Sequence, residues 1–141
     1  MTTETSREKK VAAVERLLTA MNTIAETGRP MTLTQIESLF TEDCRMVLNG
    51  QPVCQGHAGL LAHSHDIQNK LRHWHFNLPF DRTVVEGEDV FVYYSCDTLA
   101  ADGSRGRVHD MCIYAVRDGR IRDVCEVVHV AGHQLSLDSF T

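Results

Sequence analysis

In the first part of the chain apolar residues recur every three or four positions. Val11, Val14, Leu17, Leu18, Met21, Ile24 and Ala25 fall on one stripe of a helix. The spacing predicts a helix over residues 6–27, behind a polar tail over residues 1–6. Gly28-Arg29-Pro30 should end it, because glycine accepts the left-handed cap and proline cannot extend the hydrogen-bond ladder. A second, short helix is expected over residues 33–40, where Thr34 and Glu37 stand at capping-box spacing. Two short strands, 45–48 and 52–53, then flank Asn49-Gly50, a dipeptide that favours tight hairpins. A third helix over residues 58–71 sets Leu60, His63, Ile67 and Leu71 on one face.

From residue 73 the period changes from helical to alternating. Turn signals at Glu86-Gly87, Asp102-Gly103 and Asp118-Gly119 cut this half into strands near residues 73–85, 89–100, 105–117 and 120–130. Consecutive hairpins give an antiparallel meander, and helices followed by sheet is an α+β order. No repeat or linker interrupts the chain. A single domain over residues 1–141 is expected, with residues 131–141 as a C-terminal tail.

Composition narrows the function classes. The chain is 43% apolar with a net charge of −5, enough for a packed core and the wrong sign for a phosphate-reading surface. No apolar run reaches the roughly 20 residues that span a bilayer, and MTTETSREKK lacks an apolar signal core. The five cysteines, Cys44, Cys54, Cys96, Cys112 and Cys125, are odd in number, widely spaced and form no CxxC. These features lead to the expectation of a reduced, soluble, cytoplasmic protein without nucleic-acid or membrane partners. Eight histidines are the unusual element.

Three local motifs, in order, carry a family likeness: Ser38-Leu39-Phe40-Thr41-Glu42-Asp43 before a strand, Gln55-Gly56-His57-Ala58-Gly59-Leu60 opening a helix, and Val116-Arg117-Asp118-Gly119-Arg120-Ile121 at a turn. With this element order the chain resembles the nuclear-transport-factor-2-like superfamily, in its SnoaL-like and ketosteroid-isomerase-like branch. The resemblance implies a cone-shaped α+β barrel, three helices packed on a curved antiparallel sheet around an apolar pocket. It also implies a homodimer through the outer face of the sheet. Members include isomerases, cyclases, dehydratases, epoxide hydrolases and binding modules, so the fold alone does not give the reaction. Matched residue by residue, the isomerase's general-base aspartate falls at Leu48 and its protonated aspartate at Met111. Both acids are missing from those positions.

Hairpin geometry gives a candidate site. A two-residue turn at Asp118-Gly119 would set Met111 opposite Glu126, Ile113 opposite Val124 and His109 opposite Val128. The same turn at Asp102-Gly103 would set Tyr94 opposite Met111 and Cys96 opposite His109. Both faces of this sheet are largely apolar, and the isomerase resemblance turns the His109, Met111 and Glu126 face inward. The expected acid/base pair is then Glu126 with His109, supported by Tyr94 as a donor to a carbonyl and by His63 from the third helix. Met111, Ile113, Val92, Val124, Val128 and Trp74 are expected to wall the pocket. If the other face is inward, Asp110 and His129 take these roles. The ligand expected is a small apolar carbonyl or polyketide-like molecule, handled by an isomerase, dehydratase or cyclase without a cofactor, or bound without chemistry. His73-Trp74-His75 would put two imidazoles on one side of a strand, but no third ligand accompanies them, so no metal is expected.

Overall fold

The computed structural model describes residues 3–130, so the tail expected over 131–141 lies outside the described residues, as does His133. Among the described residues three helices, α1 (Thr3–Thr27), α2 (Leu33–Leu39) and α3 (Gly56–Lys70), accompany seven strands. The strands are β1 (Phe40–Leu48), β2 (Gln51–Gln55), β3 (Leu71–Phe76), β4 (Arg82–Glu86), β5 (Asp89–Ala100), β6 (Arg105–Arg117) and β7 (Arg120–Val130). α1 starts at Thr3, inside the expected polar tail, because an apolar stripe marks only the turns that are buried and a helix can run past them. The cap of α2 is Thr32 rather than Thr34. Thr32 Oγ1 accepts from the Gln35 amide at 3.2 Å while Gln35 Oε1 accepts from the Thr32 amide at 2.9 Å.

The strand expected over 73–85 is two strands. Residues 77–81 form a loop with a cis Leu78-Pro79 bond, and β3 and β4 then pair with different stretches of β5. Proline has no amide hydrogen to donate to a ladder, which accounts for the break. The sheet order is β2-β1-β7-β6-β5-β3, with β4 also on β5. Every pairing is antiparallel except β1 with β7, so the sheet is mixed where a purely antiparallel one was expected. It curls strongly into the half-barrel of the cone-shaped α+β fold.

Burial of the helical stripe holds this shape. Val14, Leu17, Leu18 and Ile24 of α1 join Ile36, Leu60, Val90, Val92 and Val124 in one core. α1 is also latched to β3. Asn22 bonds both backbone groups of Phe76, at 3.0 and 2.7 Å, and Trp74 Nε1 donates to the Met21 carbonyl at 2.9 Å. On the opposite face of the sheet Phe91, Tyr93, Met111 and Val127 stay exposed.

The register of β6 differs from the expected one on both sides. β5 and β6 are joined by a longer turn, closed by Ala100 N–H to Ser104 O at 2.9 Å, which places Tyr94 opposite Asp110 and Cys96 opposite Val108. At the other hairpin the two-residue turn is present, with Asp118 and Gly119 both at positive φ and Arg117 opposite Arg120. The ladder then shifts between Ala115 and Val116, where Arg122 is the extra residue of a bulge. Beyond it Cys112 faces Glu126, Tyr114 faces Val124 and Asp110 faces Val128. The inward residues of β5 and β7 are those expected; β6 alone is turned over.

Candidate active site

A cavity of about 100 Å³ lies between the helices and the sheet. Its wall is almost wholly apolar, from Leu17 and Met21 on α1 through Leu60 and Ile67 on α3 to Phe76 and Val124 on the sheet. Polar side chains line it at two places. Tyr94, Tyr114 and Glu126 come from β5, β6 and β7, and His63 and Ser64 come from α3.

Behind the sheet end lies Asp110, only 2% exposed. Its Oδ1 has no hydrogen-bond partner among the described residues. One oxygen of Asp110, one of Glu126 and the Cys112 sulfur all lie within 4.8 Å of one another. Two carboxylates this close in apolar surroundings cannot both carry charge. Burial first, and then the adjacent Glu126, pushes Asp110 up to about 9, against the opposing effect of a hydrogen bond from Tyr94. Asp110 therefore keeps its proton at neutral pH, with the Glu126 carboxyl beside it. The Tyr94 and Tyr114 hydroxyls are 3.0 Å apart, and burial raises both phenols well above their usual range. Phe76 and Phe80 pack their rings on Tyr94, with centroids 5.9 and 5.4 Å away, and so fix its position.

His63 stands on the helix side of the cavity. Burial holds its imidazole below the usual range, outweighing the nearby Glu126 and Asp66 carboxylates, which act the other way. The ring is therefore neutral at pH 7. Ser64 turns its hydroxyl back onto the Leu61 carbonyl at 3.0 Å.

Of the residues expected at the site, the structure brings Glu126, Tyr94, His63 and Val124 to the cavity. His109, Met111 and Ile113 lie on the outer face with the rest of the odd-numbered row of β6, and Met111 is 63% exposed. His109 instead stacks on His129 across the strands, with ring centroids 6.5 Å apart. The alternative pair is thereby split, Asp110 inward and His129 outward. Val92 is core, Val128 sits opposite Asp110, and Trp74 is buried against α1. His73 and His75 are exposed on β3. His57 is tied to the Phe40 carbonyl at 2.9 Å.

Tyr114, Cys112 and the pairing of Asp110 with Glu126 were not anticipated. A signal for them exists in the sequence. Ile121 and Val124 are both apolar and buried with Arg122 and Asp123 between them, which breaks strict alternation by one residue. The buried carboxyl sought at Met111 is supplied one position earlier, by Asp110.

Asp110, Cys112 and Glu126 also form a donor set of two oxygens and a sulfur that would suit a divalent cation. Ligation requires deprotonated donors, and burial holds the Cys112 thiol far above its ordinary value.

The curled fold recurs in solved proteins of low sequence identity. A protein described as a SnoaL-like polyketide cyclase from Jannaschia sp. CCS1 superposes with a TM-score of 0.67 at 15% identity, over 86% of this chain and 85% of that one. A protein described as a ketosteroid isomerase from Kribbella flavida DSM 17836 gives 0.64 at 18%, over 92% and 84%. An LEH-like epoxide hydrolase of M. tuberculosis gives 0.67 at 16%, over 86% and 84%. No curated protein matches at the sequence level. The SnoaL-like domain family profile matches residues 14–124, which takes in α2, α3, β1 to β6 and most of α1, and the chain belongs to that family.

Proposed function

We propose that this protein binds a compact, uncharged carbonyl compound in its cavity and moves a proton on it without a cofactor, as an isomerase, dehydratase or cyclase does. The observation that carries this reading is the Asp110–Glu126 pair, which sets a carboxyl group at a largely apolar cavity. Glu126 takes a proton from the carbon next to the carbonyl, and the Asp110 hydroxyl steadies the carboxylate before and after. Glu126 is the β7 partner of Leu48, the position where the isomerase resemblance seeks its base, so the acid is supplied from the neighbouring strand. The structural neighbours include proteins described as a cyclase, an isomerase and an epoxide hydrolase, in keeping with acid/base chemistry on this fold. A cavity of about 100 Å³ is smaller than the ~150 Å³ apolar cavity that takes up benzene, so it suits nothing larger than a single ring.

The test is solvent deuterium exchange at the α-carbons of cyclohexanone, followed by NMR. The native protein should accelerate exchange, and Glu126→Gln should lose about 10²-fold or more of that acceleration with its circular dichroism unchanged. Binding of the ketone with exchange no faster than in buffer would instead make the protein a non-catalytic carrier.

A further inference from the structure

Enolising a ketone needs a donor for the oxygen on which charge develops, as well as a base for the proton. Each hydroxyl at the cavity is already committed. The Tyr94 and Tyr114 hydroxyls bond each other at 3.0 Å, and the Asp110 carboxyl beside Tyr94 draws on its hydroxyl as well. Ser64 donates to the Leu61 carbonyl at 3.0 Å. The two tyrosine hydroxyls and the Ser64 hydroxyl thus already have partners within the protein. Among the described residues His63 is the cavity-lining side chain that keeps an uncommitted N–H, since no hydrogen bond engages its ring. It reaches the cavity from α3, whereas Glu126 reaches it from β7.

We propose, building on the acid/base reading above, that His63 is the catalytic donor to the substrate's carbonyl oxygen, and that the ligand lies with its oxygen toward α3 and its acidic C–H toward β7. This assigns to His63 the part first expected of Tyr94, and makes Tyr94 and Tyr114 positioning residues for the carboxyl pair. The substrate class is a neutral, one-ring ketone or β,γ-unsaturated ketone. An anionic substrate would meet the Glu126 carboxylate, and a polycycle exceeds the cavity. With cyclohex-3-en-1-one the α C–H bond breaks and its proton passes to a Glu126 oxygen. The electron pair forms a dienolate whose oxygen is held by the His63 N–H. Return of the same proton to the γ-carbon gives cyclohex-2-en-1-one and restores the carboxylate, with no other reactant consumed. A neutral imidazole can act in this way as a hydrogen-bond donor to developing charge.

The experiment follows conversion of cyclohex-3-en-1-one to its conjugated isomer by ultraviolet absorbance. His63→Ala should lower kcat by about 10²–10³-fold with a small change in KM. His63→Gln, which keeps an N–H donor on a chain of similar reach, should recover about tenfold or more over His63→Ala. If Glu126→Gln is inactive but His63→Ala stays within about threefold of the native kcat, His63 is not the donor while the Glu126 reading stands. A His63→Gln no better than a folded His63→Ala would equally overturn the assignment. A native protein that does not isomerise the probe at all removes the acid/base reading and the role of His63 with it.

Discussion

Asp110→Asn tests whether a proton really lies between the Asp110 and Glu126 carboxyls. Asparagine preserves the shape and can donate its amide to Glu126 while accepting from Tyr94, but it does not titrate. In the native protein Asp110 is held near 9, against roughly 3.9 in an unfolded chain. Between those values the folded protein carries a proton that the unfolded chain has released. Stability conferred at low pH is therefore lost as pH rises through this window, by up to about 1.4 kcal/mol per pH unit. The asparagine variant lacks this slope. From about pH 5 to about pH 8 its stability should gain on the native protein by as much as ~4 kcal/mol, with the difference flat below about pH 4. Urea unfolding at unit pH intervals, read by fluorescence of Trp74, measures the difference directly. A gap constant to within about 0.5 kcal/mol across that range would refute proton sharing and the catalytic argument built on it.

Two further outcomes follow from the geometry. Asn22→Ala removes both bonds to the Phe76 backbone and should destabilise the fold by about 2–3 kcal/mol, measured by urea unfolding, and an unchanged midpoint would show the α1–β3 latch contributes nothing. Treatment with a metal chelator should leave isomerisation of cyclohex-3-en-1-one unchanged. Loss of turnover restored by zinc alone would reassign Asp110, Cys112 and Glu126 to a metal.

Much of the fold is legible in the sequence. The stripe from Val11 to Ala25 is the buried face of α1, and Asn49-Gly50 and Asp118-Gly119 are the hairpin turns they signal, each with both residues at positive φ. The parallel pairing of β1 with β7 is not legible, because it joins strands separated by most of the chain and depends on how far the sheet curls. Nor is the latch of Asn22 and Trp74, since a side chain reaching a backbone group elsewhere leaves no periodic mark.

The site turns on one strand. β6 offers Val108, Asp110, Cys112 and Tyr114 on one side and His109, Met111 and Ile113 on the other, two rows of similar apolar content. Hydrophobicity gives little reason to bury either, so the turns at its two ends decide which side chains face the cavity. The four residues between β5 and β6 displace the register by one, and the Arg122 bulge displaces it by one on the other side, in the matching sense. Had only one shifted, β6 would be asked to face inward against β5 and outward against β7, which a single pleated strand cannot do. The two irregularities therefore form one compensated feature. Their chemical effect is large: an acid beside a histidine becomes an acid beside an acid, and among the described residues the histidine left at the cavity is the one on α3.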